Sequence, residues 1–263
     1  MEEEKYHFLE RRLEGLNLME KDSSARKTMD EVFDEKTLLT LYRLMTRSVI
    51  ERIEFPLSTG KEGNVFLGTD RDGRELAVKI YRTSNATYRS LARYIEDDPR
   101  FRRVKRNRRA LIYEWAKKEF QNLHRYRKAS LPVPEPVSVL NNVLVMSYAS
   151  LDGNPAPQLR NIELDGEMVQ AVFDAVADFI VRGYKEAKLV HGDLSEYNIL
   201  YSDSGPLVID VGQAVISNYA MAPAYLKRDI ENIRHYFSRV GADTSSSALY
   251  RLLSQLKTDH LLL

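Results

Sequence analysis

Asp193, Asn198 and Asp210 are the residues from which chemistry can first be read. They stand in Leu189-Val190-His191-Gly192-Asp193-Leu194-Ser195-Glu196-Tyr197-Asn198-Ile199-Leu200 and Leu207-Val208-Ile209-Asp210-Val211-Gly212. Short apolar runs on either side would act as buried strands, with the polar members held in the connections between them. A carboxylate such as Asp193 can accept a hydroxyl proton, while an amide oxygen and a second carboxylate suit magnesium. That ion keeps much of its own water and needs few protein ligands. Together the three groups point to phosphoryl transfer from a nucleoside triphosphate. An Asp and an Asn in a loop more often shape a turn, but the apolar flanks and the downstream acid weigh against that reading.

Two further groups complete the expected site. Lys79 lies in Leu76-Ala77-Val78-Lys79-Ile80, an apolar strand whose one polar member can meet the α- and β-phosphates if a carboxylate steadies it. Such a lysine is usually only a solvated residue. Glu119 is the candidate partner, because it falls within the apolar stripe between Trp115 and Leu123, where an unpaired carboxylate would be costly. A surface salt bridge is the plainer alternative. Ser58-Thr59-Gly60-Lys61-Glu62-Gly63-Asn64-Val65 precedes a strand and could cover a triphosphate with backbone amides and hydroxyls, though an ordinary turn would read the same way.

Composition narrows the class. The 263 residues include no cysteine, which excludes disulfides, thiolate catalysis and Cys-ligated metal centres. No apolar run approaches the ~20 residues needed to cross a bilayer, and the acidic opening Met1-Glu2-Glu3-Glu4 is unlike a secretory signal, so a soluble, cytoplasmic protein without membrane contact is expected. The five histidines are scattered and form no metal cluster; His191 is better used to hold its own loop. Formal charge is only +1, but ten Lys or Arg fall between Arg82 and Arg109 against Glu96, Asp97 and Asp98. That stretch could touch RNA phosphates or be merely solvated.

The elements needed to position these groups follow from periodicity. Leu38, Leu41, Tyr42, Met45, Val49 and Ile53 predict an amphipathic helix over Glu35–Ile53. Strands are expected at 53–55, 64–68 and 75–81, the last two joined by the turn Asp70-Arg71-Asp72-Gly73. Ala110–Tyr126 reads as a helix. Pro132, Pro134 and Pro136 precede a hairpin, 137–140 and 143–146, across Asn141-Asn142. Ser147–Ser150 would cross to a second lobe, where Met168, Val169, Val172, Val176, Phe179 and Gly183 trace a helix. After Asp210 two more helices are expected, one with Leu226, Ile230, Ile233, Phe237 and Val240, one with Leu249, Leu252, Leu253 and Leu256.

With these residues in place, the chain resembles the RIO family of atypical serine/threonine protein kinases. Ser58–Glu62, His191–Leu200 and Ile209-Asp210-Val211-Gly212-Gln213 look like that family's phosphate loop, catalytic loop and metal motif, over about 50–256, and are most similar to its Rio-one branch. The resemblance implies an α+β, bilobal protein-kinase-like fold with an antiparallel-sheet N-lobe and a mainly helical, truncated C-lobe. Residues 1–49 would form an N-terminal helical extension. Residues 50–149 would be the N-lobe, carrying a flexible loop over 83–108, and 150–263 the C-lobe without the usual activation loop and peptide-docking helices.

The resemblance also implies roles. Asp193 would be the catalytic aspartate, Lys79 and Glu119 the phosphate-positioning pair, and Asn198 and Asp210 the metal ligands. Ser58, Thr59, Gly60, Lys61, Glu62, Val65, Lys79 and Asn198 would bind ATP with magnesium, or manganese in its place. Met146, Ser147 and Ala149 would meet adenine, mostly through backbone groups. Gly212 and Ser147 depart from the branch, which often has Ser and an acid there. The implied activity is protein phosphorylation, including of the chain itself at Ser84 or Ser90, with Thr83 and Thr87 unranked beside them. ATPase-like turnover through a phosphorylated Asp210 and a role in maturation of the small ribosomal subunit, with contact to its rRNA, would accompany it. Two other readings stay open: a small-molecule phosphotransferase of the same fold, and a ribosome-assembly binding factor whose ATP site sets conformation.

Overall fold

The structure is a computed structural model and describes residues 33–83 and 107–259. The chain divides into two compact units, one taking in residues up to Phe120 together with Glu135–Tyr148, the other Gln121–Pro134 and the chain from Ala149 onward.

In the first unit, helix α1 (Glu35–Thr46) is followed by strands β1 (Arg52–Thr59), β2 (Gly63–Thr69) and β3 (Glu75–Tyr81), helix α2 (Arg108–Lys128), and strands β4 (Pro136–Leu140) and β5 (Val143–Ser147). Helix α2 passes from the first unit to the second after Phe120. The strands form one antiparallel sheet in the order β1-β2-β3-β5-β4. Two of its turns follow the sequence closely. Asp70 accepts from the N–H groups of Asp72 and Arg74 at 3.0 and 2.9 Å, closing β2 onto β3. Asn141 takes the left-handed conformation between β4 and β5, and buried Asn142 donates to the Tyr81 carbonyl at 2.9 Å.

Alternation along the strands decides which side chains share a face. Leu76, Val78 and Ile80 of β3 join Phe66, Val143 and Val145 in a core closed by Leu41, Leu44 and Met45 of α1. Ala77, Lys79 and Tyr81 therefore point to the opposite face. The register sets Lys79 between Val65 of β2 and Leu144 of β5, and pairs Ala77 with Met146. One lysine thus stands among apolar neighbours because of its place in a period of two.

Helix α1 ends seven residues before the predicted Ile53. Ser48 turns left-handed at φ +59°, and the Val49 N–H reaches back to the Leu44 carbonyl at 3.0 Å, a helix-ending bond that satisfies the last turn. Ile53, expected both at the end of the helix and in the strand at 53–55, is a wholly buried member of β1. Its hydrophobicity fits both patterns, and the break at Ser48 settles it in the sheet.

The start of α1 is held by Asp34. One carboxylate oxygen caps the helix through the Thr37 N–H and hydroxyl, both at 2.8 Å; the other accepts from the Thr83 hydroxyl and the Arg109 guanidinium, both at 3.0 Å. Burial by itself would push the Asp34 carboxyl upward, but the bonds from Thr37 and Thr83 and the Arg109 charge hold it below its ordinary value. A depressed carboxyl stabilises the fold above its unfolded pKa, and the benefit is lost as pH falls through the native pKa. Asp34→Asn is therefore expected to cost on the order of 1 kcal/mol near neutral pH. Urea denaturation should show the gap to wild type closing in acid.

In the second unit, β6 (Ser150–Leu151) and β7 (Asn154–Pro155) form a small hairpin before helix α3 (Gly166–Arg182). Strands β8 (Leu189–Val190) and β11 (Val215–Ile216) pair, as do β9 (Ile199–Ser202) and β10 (Gly205–Val208), and helices α4 (Ala222–Arg239) and α5 (Ser247–Asp259) close the chain. Asp165 caps α3 by accepting from the Met168 N–H at 2.9 Å. The helix runs on past Gly183 and ends just before Leu189, as expected, but its last turn widens into a single π turn, Gly183–Ala187, ended by left-handed Lys188. Phe173 and Phe237 meet at 5.4 Å between ring centres and join α3 to α4, as the apolar stripes require. Val240 lies beyond the end of α4 and is 41% exposed, so it leaves the predicted stripe.

Candidate active site

In the first unit the Lys79 ammonium lies 2.9 Å from both carboxylate oxygens of Glu119. The Glu119 side chain is 1% exposed and that of Lys79 13%. The reason is mutual: a carboxylate on the inward stripe of α2 and an ammonium on an apolar strand face each remove the cost of burying the other. Tyr81, two residues along the same face of β3, also donates its hydroxyl to Glu119, and its ring lies 5.1 Å from the Lys79 nitrogen. Tyr81→Phe is expected to lose about 1.5–3 kcal/mol, as for a hydrogen bond to a charged group. Chemical denaturation with unchanged native circular dichroism would measure it.

Ser58 and Thr59 end β1, and Gly60-Lys61-Glu62 turns the chain into β2. The Gly60 N–H meets the Gly63 carbonyl at 2.9 Å, and the Glu62 carbonyl accepts from the Arg82 N–H at 2.9 Å. Gly63 lies so close to β3 that a Cβ would stand 2.5 Å from the Ile80 carbonyl oxygen; a side chain there would push the strands apart. Buried Asn64 links Thr59 to the Arg82 guanidinium. Ser58 through Lys61 remain exposed.

In the second unit, both chemical segments occupy connections between paired strands. The loop 191–198 joins β8 to β9, and Ile209–Ala214 joins β10 to β11. They are bound to each other. His191 Nε2 lies 3.1 Å from the Ile209 carbonyl, and the Asp193 N–H lies 3.3 Å from its Nδ1, so the ring spans the two segments. The Ile209 N–H meets the Asn198 carbonyl at 2.9 Å, and Asn198 Nδ2 donates to the Asp193 carbonyl at 2.8 Å, which leaves Asn198 Oδ1 as the acceptor end of the amide. Gln213 Nε2 donates to Asp193 Oδ2 at 3.1 Å.

Asp210 itself takes the left-handed conformation, φ +58°, ψ +53°, and is exposed. An aspartate tolerates this backbone better than most residues. Buried Asn122 of α2 holds the following turn, Val211–Gln213, by donating to the Val211 and Ala214 carbonyls at 2.8 and 3.2 Å. Burial is the largest influence on Asp193 and, with the neighbouring Asp210 charge, raises its carboxyl; His191, Arg228 and the Gln213 amide oppose that rise. Among the described residues no three His, Cys, Asp or Glu side chains converge as a metal cage.

Helix α4 clasps this loop. Asp229, 1% exposed, accepts from the Gly192 N–H at 2.7 Å and the Leu194 N–H at 3.0 Å. Arg228 donates to the Gly192 carbonyl, and Asn232 Nδ2 to the Leu194 carbonyl at 3.2 Å. The peptides on both sides of Asp193 are therefore held by side chains of one helix. Burial pushes the Asp229 carboxyl upward, while His191, the two N–H donors and Arg228 act against it.

Residues 64–249 match the family model of the RIO domain. The chain belongs to the RIO family. It stands in the Rio1 branch of these atypical serine/threonine kinases. The RIO-type serine/threonine-protein kinase Rio1 of Haloferax volcanii is 37% identical over 234 residues, covering 89% of this chain and 80% of that protein. Human serine/threonine-protein kinase RIO1 is 38% identical over 221 residues, covering 83% of this chain but 39% of the human one. The chain thus spans about two fifths of the human relative's length. The Rio2 kinase structure from Chaetomium thermophilum superposes with a TM-score of 0.64 at 24% identity, over 83% of this chain and 66% of that one. A second, of its ADP/Mg2+-phosphoaspartate complex, gives 0.62 at 22%, over 88% and 74%. The fold is accordingly bilobal and protein-kinase-like, with an antiparallel N-lobe sheet, a helical C-lobe and an N-terminal helix.

In this RIO chain the first unit brings Lys79 to Glu119, with Val65 opposite Lys79 and Met146 opposite Ala77. Ser147 ends β5 with its hydroxyl accepting from the Glu135 N–H at 2.9 Å, so the side chain at this departure position is engaged in the sheet. Ala149 follows as the first residue of the next segment of the second unit. That unit gathers Asp193, Asn198 and the Asp210 turn. Ser84, Thr87, Ser90 and most of the basic stretch, including Arg102, Arg103 and Arg106, lie outside the described residues, as does the chain before Phe33. Sequence reasoning missed Tyr81, Asn122, Arg228, Asp229 and Asn232. Asp229 was within reach: it falls on the inward stripe between Leu226 and Ile230, the same signal that singled out Glu119.

Proposed function

We propose that this chain is an ATP- and magnesium-dependent serine/threonine protein kinase of the RIO type that phosphorylates itself and acts in maturation of the small ribosomal subunit. The observation that carries the reading is the hydrogen-bonded gathering of Asp193, Asn198 and the Asp210 turn in the second unit. Residues 50–149 would supply the phosphate- and adenine-binding groups and residues 150–263 the base and the metal ligands. Lys79, steadied by Glu119, would neutralise the α- and β-phosphates; Ser58–Glu62 and Val65 would cover the triphosphate; Met146, Ser147 and Ala149 would meet adenine. Asn198 Oδ1 and the exposed Asp210 carboxylate are hard oxygen donors, the set that suits magnesium or manganese. The metal would neutralise charge on the phosphates.

Asp193 would hold the acceptor hydroxyl and take its proton as that oxygen bonds to the γ-phosphorus of ATP and the bond from the γ-phosphorus to the β-phosphate oxygen breaks, releasing ADP. A carboxyl raised above its ordinary value is a better base for that purpose than a fully solvated one. Ser84 and Ser90 are the candidate acceptors within the chain. On the analogy of the phosphoaspartate complex of Chaetomium thermophilum Rio2, Asp210 is the candidate for transient phosphorylation and ATPase-like turnover. The basic stretch 82–109 would meet pre-ribosomal RNA, in a cytoplasmic setting; among the described residues no helix is long and apolar enough to cross a membrane.

The test is incubation with γ-phosphate-labelled ATP and magnesium, first without any added substrate and then with small-molecule alcohol acceptors added. Label on the protein, at a mapped serine or threonine or as a hydroxylamine-labile acyl phosphate, is the expected result. Label appearing only on an added metabolite would replace the reading with a small-molecule phosphotransferase, and no transfer at all would end it.

A further inference from the structure

Gln213 has no part in the roles assigned so far, yet it is the one side chain among the described residues that donates to the Asp193 carboxylate, Nε2 to Oδ2 at 3.1 Å. Its position is fixed from several directions. The turn Val211–Gln213 is pinned by buried Asn122 through the carbonyls of Val211 and Ala214. The chain then enters β11, whose Val215 pairs with Val190 of β8, and β8 leads directly into the loop that bears Asp193. Gly192 lies beside the same turn: a Cβ there would stand 3.4 Å from the Gln213 carbonyl oxygen, an ordinary contact, so the left-handed φ of +81°, not lack of space, is what favours glycine.

We propose that Gln213 is a positioning residue for Asp193, fixing the plane of the carboxylate so that Oδ1 is presented to the acceptor hydroxyl while Oδ2 is held. The inference rests on the kinase reading and deepens it. A carboxamide is the side chain suited to this task. It donates without bringing a charge, whereas Lys or Arg would form an ion pair that competes for the base and His would change its charge with pH. Without the bond, Asp193 would be anchored only through its backbone, by His191, Asn198 and the clasp on Gly192 and Leu194, and the carboxylate could rotate about χ2, a broad torsion.

Two variants separate the hydrogen bond from packing. Gln213→Met keeps the length and bulk but cannot donate; Gln213→Glu keeps the shape and places a second acceptor against Asp193. Both are expected to lower Mg-ATP turnover about 10- to 100-fold, the scale of a misplaced reacting group, with Gln213→Glu the lower. Binding of Mg-ATP by titration should stay within about twofold, since positioning acts on the reaction and not on ground-state affinity. Turnover of Gln213→Met equal to wild type would overturn the proposal, as would a loss that merely follows weaker binding or a lower melting temperature. Crystal structures of wild type and Gln213→Met add a readout independent of activity: an Asp193 carboxylate rotated in the variant supports the inference, and one unmoved refutes it. A wild type that transfers no phosphate counts against the kinase reading, while the crystal pair still decides the role of Gln213.

Discussion

Asp193→Ala is expected to reduce phosphate transfer by at least about 100-fold, the lower end of what a positioned general base contributes. Binding of Mg-ATP should remain measurable, because Lys79, proposed to face the phosphates, and Asn198 and Asp210, the proposed metal ligands, are all retained. The structure gives a reason to expect a clean result. Asp193 holds its loop through main-chain groups: its N–H meets His191 and its carbonyl accepts from Asn198, while the peptides on either side are fixed by α4. Removing the carboxylate leaves those bonds in place. Single-turnover assays with labelled ATP, beside calorimetric titration of the same protein, check both halves. A variant that transfers phosphate as fast as wild type would remove Asp193 from the chemistry.

Asp229→Ala is expected to damage stability and turnover together. The substitution deletes an acceptor shared by two buried N–H groups, and each orphaned donor costs roughly 1–3 kcal/mol, so a total of about 2–6 kcal/mol follows. In a chain of this size that corresponds to a fall of about 5–20 °C in melting temperature. Because the orphaned groups belong to Gly192 and Leu194, the two neighbours of Asp193, activity should fall even where the protein is still folded. Asp229→Asn should lie between the two: its oxygen can still accept one bond, but its amide N–H would face the other donor. Calorimetry and turnover measured at a temperature well below the variants' melting points distinguish the effects. An alanine variant with unchanged melting temperature and rate would show that the loop holds itself without α4.

Much of this architecture was legible residue by residue. The alternation in Leu76–Tyr81 placed Lys79 on the face opposite the α1 core, and the turn at Asp70–Gly73 and the pair Asn141-Asn142 closed the hairpins on either side of it. Glu119 was legible because a carboxylate inside an apolar stripe demands a cation. What could not be read were features that depend on groups far apart in the chain. Ile53 fitted the stripe of α1 as well as it fits β1, and only the left-handed Ser48 decides between them. The π turn after α3 carries no periodic signal of its own. Asn122 and Asn232 look like ordinary helix polar residues until the carbonyls they hold are brought beside them.

Local order along the chain, then, determined which residues form strands and helices, which faces are apolar, and which polar groups are available for phosphate chemistry. Those are questions of side-chain type and spacing, settled within a few turns or one hairpin. Tertiary structure alone decided how the Asp193 loop and the Asp210 turn are joined to each other and clasped by α4. Hydrogen bonds of 2.7–3.3 Å are specific to distance and direction, and their partners are separated in sequence by up to 38 residues. Only the folded backbone sets such geometry.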